Sequence, residues 1–199
     1  MTEKTTRMKH ASRLVPSRSA ERGFTLIELM LVVALVAILA TIALVGWGKW
    51  IRSSKLTEAT NMIQKIRDAE ETRKAETGKY LDVSNGLGVG NLYPAATPGL
   101  KATQWGAQCT VCKSDWANLA VRADGPVQFG YAVVAGDAVT TPSTRGVNLT
   151  INGNTVSFPK PTGQWYVVEA MGDLDGNSVF CTVVGDSWDS TLMIDKEGE

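Results

Sequence analysis

The chain of 199 residues holds a single histidine, His10, close to its N-terminus. Everything after it lacks the usual base of Ser-His and Cys-His catalysis and the commonest metal ligand, which counts against an enzyme of those kinds. Net charge is missing too. Twenty Lys and Arg balance twenty Asp and Glu. Lys4, Arg7, Lys9, Arg13, Arg18 and Arg22 against Glu3 and Glu21 give residues 1–23 a net of +4, leaving −4 on the rest. A mildly acidic body has no electrostatic footprint for nucleic acid, so no nucleic-acid contact is inferred. Cysteines are few: Cys109, Cys112 and Cys181, all in the C-terminal half. Proline is absent from Phe24 to Thr77, so nothing there forces a helix to stop.

What is present is concentrated. Residues 24–45 run FTLIELMLVVALVAILATIALV, 22 residues with one charge, Glu28. That length crosses a bilayer as a helix. The basic stretch before it fits the cytoplasmic side of such a span. Trp47 and Trp50, with Lys49 and Arg52, suit a membrane–water interface on the other side. A cleaved secretory signal has a shorter apolar core, about 7–15 residues, followed by a small-residue cut site. Here the small residue, Gly23, precedes the run. A charge at the bilayer centre costs about 2.5–3.5 kcal/mol. Glu28 sits near one end, within reach of the interface.

Residues 49–77 continue the helix in a different style. Leu56, Ala59, Met62, Ile63, Ile66 and Ala69 recur at three- and four-residue spacing and make one apolar face, with Glu70 on the same period. Gly46 and Gly48 are the weak points, each costing about 1 kcal/mol relative to Ala. Gly78 is placed to cap the end. The element spans about 54 residues, or ~80 Å. Its first half requires lipid or other helices; its second half requires a globular partner.

Residues 82–108 are rich in Gly, Pro, Asn and Ala and read as a long irregular connection. Beyond it lie strand signals. PVQFGYAVVAG alternates in part. VNLTI and NTVSF flank Asn152-Gly153, a dipeptide suited to a type I′ turn. QWYVVEA, NSVFCTVV and STLMI follow. The expectation is an α+β fold: a long N-terminal helix on a C-terminal antiparallel sheet of four or five strands, one face of which covers the amphipathic half-helix.

RGFTLIELMLVVALVAILATIA resembles the class III signal sequence of type IV pilins and pseudopilins, the type IV filament superfamily. ETGKY at the helix end resembles it more loosely. The resemblance implies the pilin fold and a non-enzymatic structural subunit. It implies a leader at 1–23, cleaved by a prepilin peptidase after Gly23, with N-methylation of Phe24. It divides the mature chain into an assembly half of the helix at 24–48, an amphipathic half at 49–79 and a head at 80–199. It implies an ion pair between Glu28 and the new Phe24 amine, setting register between subunits. It implies a single-pass precursor in the bacterial inner membrane, an assembly platform there, other pilins as partners, and self-association into a cell-surface or periplasmic filament. Many pilins carry a proline near position 45; this chain has Val45-Gly46-Trp47-Gly48 instead. A type II secretion pseudopilin, and a single-pass anchored binding domain, are the competing readings.

Three further features bear on function. Cys109-Thr-Val-Cys112 lacks the βαβ setting of a redox motif and the fourth ligand of a zinc site, which leaves a disulfide from Cys109 or Cys112 to Cys181, or a local Cys109–Cys112 bridge. Asp173, Asp175 and Asn177 in GDLDGN alternate like the start of a calcium loop, but the following Gly and distal Glu are missing, so a turn at Asp175-Gly176 competes. No other cofactor is expected. Trp105, Trp116, Trp165 and Trp188 read as core and loop packing.

Overall fold

The computed structural model describes residues 23–106 and 113–197. Its elements are α1 (Leu26–Thr77), α2 (Lys113–Asn118), β1 (Gly130–Gly136), a 3-10 turn (Ser143–Arg145), β2 (Thr150–Ile151), β3 (Asn154–Thr155), β4 (Trp165–Gly172), β5 (Cys181–Asp186) and β6 (Met193–Asp195). The α+β expectation holds. Among the described residues, those up to Ala43 form one unit and those from Leu44 onward another. The helix is continuous across Gly46 and Gly48.

In the larger unit, the periodic face of α1 is the buried one. Leu56, Ala59, Met62, Ile63 and Ile66 join Tyr131, Val133, Tyr166, Val168, Ala170 and Val183 in one core. The helix ends where the sequence places its cap. Gly78 takes a left-handed conformation, φ 78°, and its N–H donates to the Lys74 carbonyl at 2.8 Å.

Four antiparallel strands form the main sheet in the order β1-β4-β5-β6. The period of two sends alternate residues to opposite faces. Val134, Val167 and Val184, facing away from α1, build a second core with Trp165, Val147 and Leu149. Both faces are therefore covered, which explains the near-continuous apolar runs YAVVA and WYVV. The sequence expectation provided a cover for one face only. The second cover comes from the chain between β1 and β4. Its β2-β3 hairpin turns on Asn152 and Gly153, both at positive φ, as the I′ dipeptide predicts, but it forms its own two-stranded sheet.

The irregular segment after α1 seals the free edge of β1. Ser84 N–H donates to Val133 O, and Tyr93 and Tyr131 exchange two backbone hydrogen bonds. An open edge strand is a site of unwanted pairing, and this segment removes it. Helix α2 was not anticipated; its Trp116 is buried against Tyr93 and Trp105.

Three carboxylates connect these layers. Glu58 accepts the N–H groups of Gln128 (2.9 Å) and Phe129 (3.3 Å) and the Tyr131 hydroxyl (3.2 Å), fixing the entry to β1 on α1. Glu169, buried on β4, accepts the Gly88 N–H, and burial raises its pKa. Glu70 is fully buried on α1. Its Oε2 accepts the Leu81 N–H at 2.8 Å, while Oε1 has no hydrogen-bond partner. Desolvation pushes its pKa up to about 7.

Candidate assembly site

The start of α1 is built from a short polar signal and a long apolar one. Thr25 is the N-cap. Its N–H and its Oγ1 donate to Glu28 Oε2 at 3.0 and 2.9 Å, and the Glu28 N–H donates back to Thr25 Oγ1 at 3.3 Å. This reciprocal pattern is a capping box, satisfying amides that the first helical turn leaves open. A carboxylate at the positive end of a helix dipole is favourably placed. The T-x-x-E spacing of residues 25–28 is the sequence signal for this cap, and Thr25 is absent from the residues expected at the site.

Phe24 lies just before the cap, 86% exposed. Gly23 is also exposed, and a Cβ built on it would meet nothing within 4 Å. Nothing within the described chain requires glycine there. Phe24 carries an amide in this uncleaved chain, and the hydrogen bonds of the Glu28 carboxylate are made to Thr25.

From residue 23 to residue 44 every position is exposed. Leu35 is 53% exposed and Leu44 75%. So much contiguous apolar surface does not stay in water: each 100 Å² is worth about 2.5 kcal/mol on burial. Among the described residues one helix is long and apolar enough to cross a membrane, and this run is its apolar part. The arrangement offers a helix surface for lipid or for other helices, with one acceptor, Glu28, at its head.

The remaining expected residues lie away from this run. Cys181 is buried at the start of β5. Cys109 and Cys112 lie outside the described residues. Asp173 and Asp175 stand in the turn between β4 and β5. The buried Asp173 carboxylate accepts the N–H groups of Gly176 (2.7 Å) and Ser178 (3.2 Å), and Asp175 accepts from Asn177. Gly176 at φ 83° completes the turn expected at Asp175-Gly176. Among the described residues no group of three or more His, Cys, Asp or Glu is arranged to hold a metal. Trp116 and Trp165 are core residues, and Trp165 donates its indole N–H to Asp137 O and Thr140 O.

A long N-terminal helix, apolar and exposed at its start, amphipathic in its second half and followed by an antiparallel sheet, is a pilin-like arrangement. Residues 18–44 match the family described as the prokaryotic N-terminal methylation motif. The chain is 36% identical over 108 residues to the type IV major pilin protein PilA of Myxococcus xanthus (strain DK1622), covering 52% of this chain and 46% of that protein. It is 39% identical over 77 residues to a fimbrial protein of Dichelobacter nodosus, covering 37% of this chain and 48% of that one. Over the matched stretches the chain is similar to a type IV major pilin and to a fimbrial protein, and its N-terminal segment carries the methylation motif. It spans about half the length of the curated relatives it matches. No solved structure matches it.

Proposed function

We propose that this chain is a structural subunit of a type IV pilus, major or minor, polymerised from the bacterial inner membrane. The observation that carries the reading is the wholly exposed apolar stretch at 24–44 with a single carboxylate at its head. In this reading a prepilin peptidase removes residues 1–23 and Phe24 is N-methylated. The open space around Gly23 supports this: its backbone is free for an enzyme to approach closely, with no Cβ in the way. The mature subunit waits as a single-pass membrane protein. An inner-membrane assembly platform then passes it into a bundle of like helices, shared with other pilins, and the filament reaches the cell surface. There Glu28 pairs with the Phe24 ammonium of a neighbouring subunit. A carboxylate unpaired in an apolar bundle is costly, so subunits that meet in register are favoured.

Mass spectrometry of the mature chain and immunogold labelling of sheared filaments test this reading. The expected results are an N-terminus at methylated Phe24 and label on the filaments. Label along the shaft marks a major subunit and sparse or terminal label a minor one. An N-terminus elsewhere, or unlabelled filaments, overturns it.

A further inference from the structure

We propose that Trp47, Trp50, Arg52 and Lys55 form a seat for anionic phospholipid headgroups, which holds the waiting subunit at the outer face of the membrane; this rests on the membrane-anchored reading above.

Trp47 and Trp50 are 63% and 67% exposed, and their rings lie side by side with centroids 5.9 Å apart. Large aromatic side chains this exposed are anomalous on a helix segment whose other face enters a packed core a few residues later, at Leu56. Their place on the helix resolves the anomaly. The apolar run before Trp47 is 22 residues long, and at 1.5 Å per residue a helix of that length spans about 30 Å, the thickness of a bilayer's hydrocarbon core. The end of such a span is the level at which indole rings settle, apolar body in the acyl boundary and N–H toward the headgroups.

The charges select the lipid. Arg52 and Lys55 follow within eight residues of Trp47, and both are half-buried. Neither forms an ion pair among the described residues; the two ion pairs there are Lys65–Asp124 and Arg145–Asp82. The Nε of Arg52 also lacks a hydrogen-bond partner. No acidic residue occurs between Glu28 and Glu58. Two uncompensated cations beside an aromatic pair at headgroup depth complement a phosphodiester anion, which a guanidinium can grip with two parallel hydrogen bonds. A zwitterionic headgroup offers the same phosphate with a neighbouring ammonium that repels both side chains. The seat therefore favours headgroups such as phosphatidylglycerol.

The test uses the full-length chain at high dilution in vesicles of phosphatidylglycerol and phosphatidylcholine, with either lipid brominated at equal mole fraction. Bromine quenches only indoles in contact with lipid; in the head Trp116 and Trp165 are buried, and the half-buried Trp105 and Trp188 set the background that remains when Trp47 and Trp50 are replaced. Brominated phosphatidylglycerol is expected to quench at least about twofold more than brominated phosphatidylcholine. Arg52→Gln/Lys55→Gln is expected to equalise the two lipids, and Trp47→Phe/Trp50→Phe to abolish most of the lipid-dependent quenching. Equal quenching of the unaltered chain by both lipids, or undiminished quenching in Trp47→Phe/Trp50→Phe, overturns the proposal. So does shielding of these indoles that grows with the protein-to-lipid ratio and ignores lipid charge, which would assign the surface to a second copy. Filament entry is scored separately on cells. A chain that enters filaments without any lipid preference refutes the seat and leaves the pilus reading standing.

Discussion

The Glu28 carboxylate is held by Thr25, whose backbone N–H and hydroxyl both donate to Oε2, at 3.0 and 2.9 Å. One carboxylate thus has a local partner before any processing. A pair with the Phe24 amine is available only after cleavage creates that amine. The two roles are separable, because a capping box accepts Gln at this position as well as Glu. Glu28→Gln is expected to keep the helix start and normal cleavage while reducing filament yield at least about tenfold, as the loss of about 1.4 kcal/mol or more would. Thr25→Ala is expected to cost about 1 kcal/mol of helix stability with the charge intact. Quantifying mature chain and sheared filaments in both variants checks this. Full filament yield from Glu28→Gln would leave only the cap.

Glu70 predicts a pH dependence in the head. Burial disfavours the anion and pushes its carboxyl up to about 7 in the folded chain, from an ordinary value of 4.5. Between these values the folded state binds more protons than the unfolded chain. Stability is then highest below about pH 4.5, falls as pH rises toward 7 and levels off above it, a change of about 3 kcal/mol from this group. Glu169, also raised by burial, acts with the same sign. Asp137 and Asp189, lowered chiefly by the Thr140 and Thr191 backbone N–H groups, oppose it toward lower pH. Thermal unfolding of the detergent-solubilised chain from pH 5 to 8 measures the slope. Glu70→Gln, which keeps an acceptor for the Leu81 N–H, is expected to flatten it.

At the end of β1, Gly136 sits beneath Trp165. A Cβ there would lie 2.5 Å from Trp165 Cζ2 and from Thr140 Oγ1. Trp165 is anchored by its indole N–H to Asp137 O and Thr140 O, so it has no room to yield. Gly136→Ala is expected to destabilise the head by about 1–3 kcal/mol. Gly163→Ala, where a Cβ meets nothing within 4 Å, is the matched control and should change stability little. Denaturant midpoints of the two variants decide it.

Cys181 is buried in β5, a late strand of the sheet. We expect non-reducing peptide mapping of exported protein to find it bridged to Cys109 or Cys112, closing a loop of about 70 residues worth ~4 kcal/mol. Cys181→Ser would then lower the unfolding midpoint of oxidised protein toward that of the reduced chain. A Cys109–Cys112 peptide would overturn the long-range pairing.

Much of this protein is determined by local sequence. The apolar block at 24–45, the three- and four-residue spacing from Leu56 to Ile66, the cap at Gly78 and the Asn152-Gly153 turn each act over a few neighbouring residues, and physics at that range is written in residue order. The T-x-x-E cap at Thr25 belongs with them. Tertiary structure alone decided the rest. YAVVA and WYVV announce burial without saying by what; the second cover of the sheet comes from Val147 and Leu149, laid against Trp165 and Val167 by a connection whose path no periodicity records. The same holds for Glu70. Its place on the apolar stripe is legible, but its unpartnered oxygen and raised pKa exist because the chain after Gly78 turns back and lays the Leu81 amide against it. Desolvation depends on every atom that packs around a group, however distant in sequence.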